Sequence, residues 1–418
     1  MNSLEVCLIG QFKMNKQFFK IFSVSAIALA LTACSSSNKI YSAKFLQPKK
    51  QPLKWEVFEG NARTKKLASQ LVDQYAQDIF NSSNAQGMAM VVIDNNQTVY
   101  RSFGETRPGS GIRPKPDSII RIASLTKLMT SEIMIKLEED EVLRSTDPLQ
   151  DYSYYGVKVP QYSPLQPIRL FHLASHTSGL PREQPGGRWG RPVFVWPTQA
   201  NRWAWLKTAQ LDVVPGATAS YSNLAYDLLA DALSKATGKP YTRLLHDKIT
   251  GPYYMKDTTL TPNRSQCARL MESYKPSPCL NTVAAAGSGG IYSTPKDMQH
   301  WMQQFLSSDS QLRKQTASRE QGIYFKRSAL ASIKGMDVAG QADGVGLGWV
   351  YMNARRDIPG IYQKTGGGGG FNTYIAMIPE QNIGVFVVIT RKQHSQFSSV
   401  TMGVNQLVTA LSRNHHQV

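Results

Sequence analysis

Two stretches toward opposite ends of the chain carry the same pattern of helix and hairpin, and that repetition constrains the fold more than any other feature. Between Leu67 and Phe80, the residues Leu71, Tyr75, Ile79 and Phe80 fall at helical spacing, which predicts an amphipathic helix. Met88–Ile93 is then a short apolar run, Asp94, Asn95 and Asn96 supply turn residues, and Thr98–Phe103 resumes in extended character, the pattern of a β-hairpin. Further on, Tyr374–Ile378, a turn over Pro379–Asn382 and the β-branched run Ile383–Thr390 predict a second hairpin. Val404, Leu407, Val408 and Leu411 share one face of a closing helix. The arrangement predicts one antiparallel sheet built from both ends of the chain, with the two helices packed on it.

Between the hairpins, residues of about 125–290 show helical patterns interrupted by Pro and Gly and few strand runs, which reads as an inserted, mainly helical lobe. The expected fold class is therefore α+β, with the cleft between sheet and lobe as the natural site. A length of 418 residues accommodates one large domain with such an insertion, or two ordinary domains. With 41% hydrophobic and 18% charged residues, the composition excludes global disorder and a multi-span membrane protein.

Met14–Ala33 reads as a secretory signal: Lys16 and Lys20 form a positive start, and Ile21–Leu31 is apolar but too short to span a bilayer. Residues 1–13, including Cys7, read as upstream of the true start at Met14. Leu31, Thr32, Ala33 and Cys34 resemble the bacterial lipobox, which implies lipidation of Cys34, attachment to a membrane through that anchor and, with Ser35 following, passage to an outer membrane on the periplasmic side. An ordinary signal cleaved near Ala33 is the alternative. Residues 34–65, polar and Lys-rich, read as a tether, and the folded domain is expected over 66–418. Cys267 and Cys279 stand close together in a Pro- and Ser-containing stretch, where an oxidising compartment favours a local disulfide over two free thiols.

The formal net charge of +18 invites a nucleic-acid reading. Yet the basic residues are spread along the chain with no block and no aromatic stacking motif beside them, so no nucleic-acid partner is expected. Attraction to an anionic wall or membrane accounts for the charge equally well.

Ser124 and Lys127 form S-x-x-K at the start of a helical pattern, which places both side chains on one face, one turn apart. A serine hydroxyl needs an adjacent base to become a nucleophile, and a lysine serves when burial disfavours its cation. Taken singly, the spacing is common and a capping serine beside a solvated lysine explains it. Tyr221 and Asn223 supply Y-x-N, and Lys364, Thr365 and Gly366 supply K-T-G just before the second hairpin, and the ordered triplet is far more specific. Taken alone, Tyr221 reads as a packing tyrosine, Asn223 as a helix cap and Lys364 as a surface cation.

With tyrosine in the middle motif, the triplet resembles that of the class C β-lactamase and DD-peptidase branch. Ser118–Leu128, Leu173–Gln184, Gly287–Thr294 and Gln363–Phe371 resemble AmpH-type D-alanyl-D-alanine carboxypeptidase/endopeptidases, over roughly residues 68–412. The resemblance implies the serine β-lactamase/penicillin-binding protein fold, in which the antiparallel sheet from both chain ends is flanked by helices and carries the helical lobe. It implies that Ser124 attacks the penultimate D-alanine carbonyl of peptidoglycan stem peptides, or a β-lactam, with Lys127 and Tyr221 moving the proton. Asn223 is then expected at the substrate amide, Lys364 and Thr365 at its carboxylate with Gly366 beside them in the substrate-binding set, and the backbone N–H groups of Ser124 and Gly367 at the oxyanion. No cofactor is implied. The alternatives are a class C-like β-lactamase, an esterase or a non-catalytic penicillin sensor. The apparent lipobox departs from the family's ordinary cleaved signal.

Two other patterns invite different chemistry. Gly366–Gly370 lacks the order of a phosphate loop and the helix that follows one, and instead predicts close approach of a substrate backbone to a strand edge. His172 and His176 stand at i, i+4, but without the glutamate of H-E-x-x-H they read as packed or capping histidines, and no metal is expected.

Overall fold

The computed structural model describes residues 53–58, 62–95, 97–185, 196–306 and 310–415. In chain order, its main sheet among the described residues comprises β1 (Leu53–Phe58), β2 (Ala85–Asp94), β3 (Gln97–Gly104), β4 (Phe325–Lys326), β5 (Gly344–Val345), β6 (Val350–Met352), β7 (Ile361–Gly368), β8 (Phe371–Ile378) and β9 (Ile383–Arg391). The strands are antiparallel throughout, in the spatial order β1-β3-β2-β9-β8-β7-β6-β5-β4. Strands from the two ends of the chain meet in the middle, where β2 pairs with β9 and Met90 faces Val387.

The side-chain period of two explains how one sheet holds two layers. Met88, Met90 and Val92 on β2 and Val385, Val387 and Ile389 on β9 point to a core shared with α1 (Ala62–Ser83) and α5 (Phe397–His415). The intervening Ala89, Val91 and Ile93, with Phe386 and Val388, point to the opposite core. That second core continues through α2 (Thr126–Glu139), α3 (Asn223–Thr237) and α4 (Pro295–Leu306) of the lobe side. Both hairpins, both outer helices and the helical lobe are as the sequence predicts.

Two boundaries move. The sequence places the folded domain from residue 66, but β1 pairs with β3 from Leu53 opposite Ser102 to Phe58 opposite Gln97, inside the stretch read as tether. Its partner lies some forty positions away in sequence, with no local turn to signal the pairing. Helix α1 begins at Ala62; its first turn is polar, favourable to helix by propensity but without the apolar period that marks Leu71–Phe80. The signal segment, Cys34 and most of the tether lie outside the described residues.

Cys267 and Cys279 form the expected disulfide, with Cα atoms 5.7 Å apart. The segment they close braces the sheet: Tyr274 N donates to Arg391 O at 3.0 Å, and Ser277 Oγ donates to Gly369 O at 2.9 Å. Inside the lobe, buried Asp231 of α3 accepts from Arg202 Nε at 2.6 Å, Arg202 Nη2 at 2.8 Å and Trp203 Nε1 at 2.8 Å.

Candidate active site

A two-residue strand, Ile120–Arg121, pairs with Tyr292–Ser293 and delivers the chain to the nucleophile. Ala123 then takes a left-handed backbone, φ +48°, a conformation costing on the order of 1–3 kcal/mol for a residue with a side chain. A short 3₁₀ turn, Ala123–Leu125, leads directly into α2, so Ser124 stands at the mouth of the helix and Lys127 one turn inside it. Thr373 Oγ1 of β8 donates to Ile122 O at 3.0 Å and ties this strained turn to the sheet.

Lys127 is fully buried. Its Nζ donates to Asn223 Oδ1 at 2.7 Å and to the Ser288 carbonyl at 2.5 Å, and lies 3.4 Å from Ser124 Oγ. A neutral amine has two N–H groups and one lone pair, so the two carbonyl acceptors leave the lone pair for the serine hydroxyl. Burial pulls the Lys127 ammonium well below the ordinary lysine range, while the carboxylates of Asp227 and Glu183 partly offset it and Arg182 adds to it. Asp227, itself buried and raised by desolvation, accepts from Ser288 N at 3.0 Å.

Tyr221 reaches the site from a second element. Ala219–Ser220 runs parallel to Ile333–Lys334, Tyr221 N donates to Lys334 O at 3.1 Å, and Ser222 caps α3 by accepting from Ala225 N at 3.0 Å. Tyr221 Oη donates to Ser124 Oγ. Around its ring, Lys127 Nζ and Lys364 Nζ each lie 4.7 Å from the centroid and the Arg182 guanidinium 4.8 Å. The capping role open to Asn223 belongs instead to Ser222. The Asn223 amide accepts from Lys127 through Oδ1 and donates one N–H to Glu183, which leaves its second N–H and the other Oδ1 lone pair for a substrate amide.

Strand β7 forms the opposite wall. Its pairing with β6 covers Ile361–Gln363 only, which leaves the edge from Lys364 onward open on that side. Lys364 is buried, and desolvation lowers its ammonium to about 8, partly countered by Tyr221 and reinforced by Lys127 and Arg182. At Gly366, a Cβ would lie 2.3 Å from Thr373 Oγ1, 2.9 Å from Ile122 O and 3.1 Å from Ser124 N. This glycine therefore admits the nucleophile turn, a closer neighbour than the substrate backbone the sequence suggests. Gly368, Gly369 and Gly370 have φ of +158°, +60° and +87° and make the turn into β8.

Ser124, Asn223, Ser288, Gly367 and Gly368 line a cavity of about 70 Å³. A larger cavity of about 310 Å³, bounded by Glu132, Lys136, Tyr253 and Glu320, holds none of the residues of the three sequence motifs, whereas Ser124, Asn223 and Gly367 line the smaller one. His172 Nδ1 accepts from Arg169 N at 3.1 Å, and burial, then Arg169, lowers its ring to about 4. His176 Nδ1 accepts from Ser222 N at 3.0 Å. The two rings thus serve the backbone of different segments.

The sequence motifs miss three contributors. The Ser288 carbonyl is a backbone atom and leaves no side-chain signal; only its place inside the Gly287–Thr294 stretch points to it. Arg182 and Glu183, at the rim, lie inside Leu173–Gln184, where their charges beside a Pro-terminated turn were the available clue.

A family model described as Beta-lactamase matches residues 68–405. The D-alanyl-D-alanine-carboxypeptidase/endopeptidase AmpH of Escherichia coli K12 is 57% identical over 349 residues, covering 83% of this chain and 90% of that protein. The crystal structure of a beta-lactamase/D-alanine carboxypeptidase from Yersinia pestis, complexed with citrate, superposes with a TM-score of 0.81 at 68% identity, covering 83% of this chain and 99% of that one. A class C beta lactamase from Rhodobacter sphaeroides shares the fold at 18% identity, with a TM-score of 0.66 over 82% of this chain and 99% of that one.

Proposed function

The chain belongs to the β-lactamase family, and from that premise we propose that it is a serine D-alanyl-D-alanine carboxypeptidase and endopeptidase acting on peptidoglycan stem peptides. The convergence of Ser124, Lys127, Tyr221 and Lys364 on one cleft carries this reading. Ser124 Oγ attacks the carbonyl of the penultimate D-alanine while Lys127, its charged form disfavoured by burial, and Tyr221 take its proton. The tetrahedral oxyanion is received by the backbone N–H groups of Ser124 and Gly367. As the C–N bond breaks, the proton passes to the leaving amine, and an acyl-enzyme remains for water to release. Lys364 and Thr365, beside Gly366, meet the terminal carboxylate on the open edge of β7, and Asn223 meets the substrate amide. A β-lactam opens at the same serine by the same steps and differs in how fast the acyl group leaves.

Export and anchoring belong to the same proposal. The apolar segment within Met14–Ala33 and the lipobox-like approach to Cys34 support a periplasmic protein held to the outer membrane by lipid. Cys34→Ser is expected to release the protein from membranes, and unchanged retention would refute the anchor.

The activity is tested by incubating purified protein with a pentapeptide stem, a cross-linked muropeptide and a chromogenic cephalosporin, reading D-alanine release, cross-link cleavage and lactam opening. Ser124→Ala should abolish all three. Activity intact in that variant, or no penicillin labelling of the wild type, contradicts the assignment.

A further inference from the structure

We propose that His176 is the positioning residue that holds the Tyr221 phenol on Ser124, an inference that rests on the acyl-transfer reading of this site. His176 grips the chain on both sides of Tyr221. Its backbone oxygen accepts from Ser220 N at 2.8 Å, and its Nδ1 accepts from Ser222 N at 3.0 Å. Between these two bonds, its ring stacks on the Tyr221 ring, with centroids 4.6 Å apart and planes 29° from parallel. The residue before the phenol, the residue after it and the phenol ring itself are thus all held by one side chain and its own carbonyl.

The local backbone is built for that grip. His176 has φ +62°, in the left-handed region that histidine and asparagine enter more readily than most residues, and this turns the ring back toward residues 220–222. Because Nδ1 accepts, the proton sits on Nε2, and Nε2 is buried without a hydrogen-bond partner. A ring fixed in this neutral tautomer adds no positive charge beside Lys364 and Arg182, where a further cation would oppose the protonated form of Lys364 that the site uses. Burial first, and then the basic side chains of Lys364, Lys127 and Arg182, hold His176 well below its ordinary titration range. His176 does not line the cavity, and its ring packs on Tyr221 and, tilted, on Tyr226, so its effect on the reaction passes through Tyr221.

The requirements separate by substitution. His176→Asn keeps the left-handed backbone and offers Oδ1 where Nδ1 was, but removes the stacking ring. His176→Phe keeps a ring and leaves Ser222 N without its acceptor. Each should lower the rate of acylation by a fluorescent penicillin about 10- to 100-fold, the scale expected when a reacting group is misplaced by a fraction of an ångström to an ångström, with substrate KM nearly unchanged. In a Tyr221→Phe background, the same substitutions should cost less than about 3-fold more, because residues acting as a unit are not additive. Thermal melting of each protein identifies any variant that has lost its fold, and His176→Asn, which satisfies the backbone, is the variant retained for the comparison. Losses that multiply in full on an impaired Tyr221→Phe enzyme overturn the positioning role alone. A Tyr221→Phe enzyme that acylates at the wild-type rate overturns both this role and the proton-transfer reading on which it rests.

Discussion

Lys127 Nζ lies 3.4 Å from Ser124 Oγ, with its other two bonds committed to Asn223 and the Ser288 carbonyl. That geometry asks for a neutral amine. Lys127→Arg keeps a cation of similar reach that does not deprotonate, so it should be as poor as Lys127→Ala, each slowing acylation by roughly 10²- to 10⁴-fold in stopped-flow measurements with a fluorescent penicillin. More than a tenth of the wild-type rate in Lys127→Arg would exclude lysine as the base.

The same burial predicts a bell-shaped pH profile. Lys127 is lowered, and it acts only when deprotonated, so kcat/KM should fall as pH drops through its reduced pKa. Lys364 is lowered to about 8 and acts only when charged, so kcat/KM for carboxylate-bearing substrates should fall again as pH rises past that value. In Lys364→Arg the residue stays charged, and the alkaline limb should move beyond the measurable range even where the overall rate is reduced. An alkaline limb that stays in place in that variant assigns it to another group.

Neighbouring glycines should respond differently. Gly366→Ala places a Cβ 2.3 Å from Thr373 Oγ1 and 2.9 Å from Ile122 O, so β7 must shift away from the nucleophile turn. Overpacking of that kind costs about 1–3 kcal/mol, and acylation should fall by about 100-fold or more through displacement of the oxyanion donors. At Gly367 an added Cβ meets only Asn372 Nδ2, at 3.1 Å, and the melting temperature should stay near that of the wild type. Equal melting temperatures for the two variants would place the crowding elsewhere.

Asp231 is buried and accepts from both Arg202 and Trp203. Asp231→Ala leaves a buried guanidinium without its partner, and urea unfolding should show a loss of about 3–5 kcal/mol. A loss under about 1 kcal/mol would mean that water replaces the carboxylate.

The convergence of Ser124, Lys127, Tyr221 and Lys364 was legible because a nucleophile, a buried base and a carboxylate-binding cation in a fixed order would be written as such short words, and the fold brings those words together. The central strands were legible for a different reason: β8 and β9 are covered on both faces, so Tyr374–Ile378 and Ile383–Thr390 read as apolar runs between turn residues. Helix α2 shows the limit, since most of its residues are buried and no polar face marks its orientation. Strand β1 was missed because nothing local announces a pairing made across some forty residues. The Asn223–Glu183 contact escaped because motif order says nothing of what crosses a rim.

The meeting of β2 and β9 in the middle of the sheet has a temporal side. A ribosome emits Ser124 long before Lys364, and the hairpin of β2 and β3 must wait for nearly the whole chain before its inner edge finds β9. Through that interval the edge is an open template for wrong pairing, and contacts so distant in sequence form slowly. Ser124 and Gly367, which line one cavity, are likewise far apart in sequence, so a growing chain carries its serine before the strand that completes its cleft.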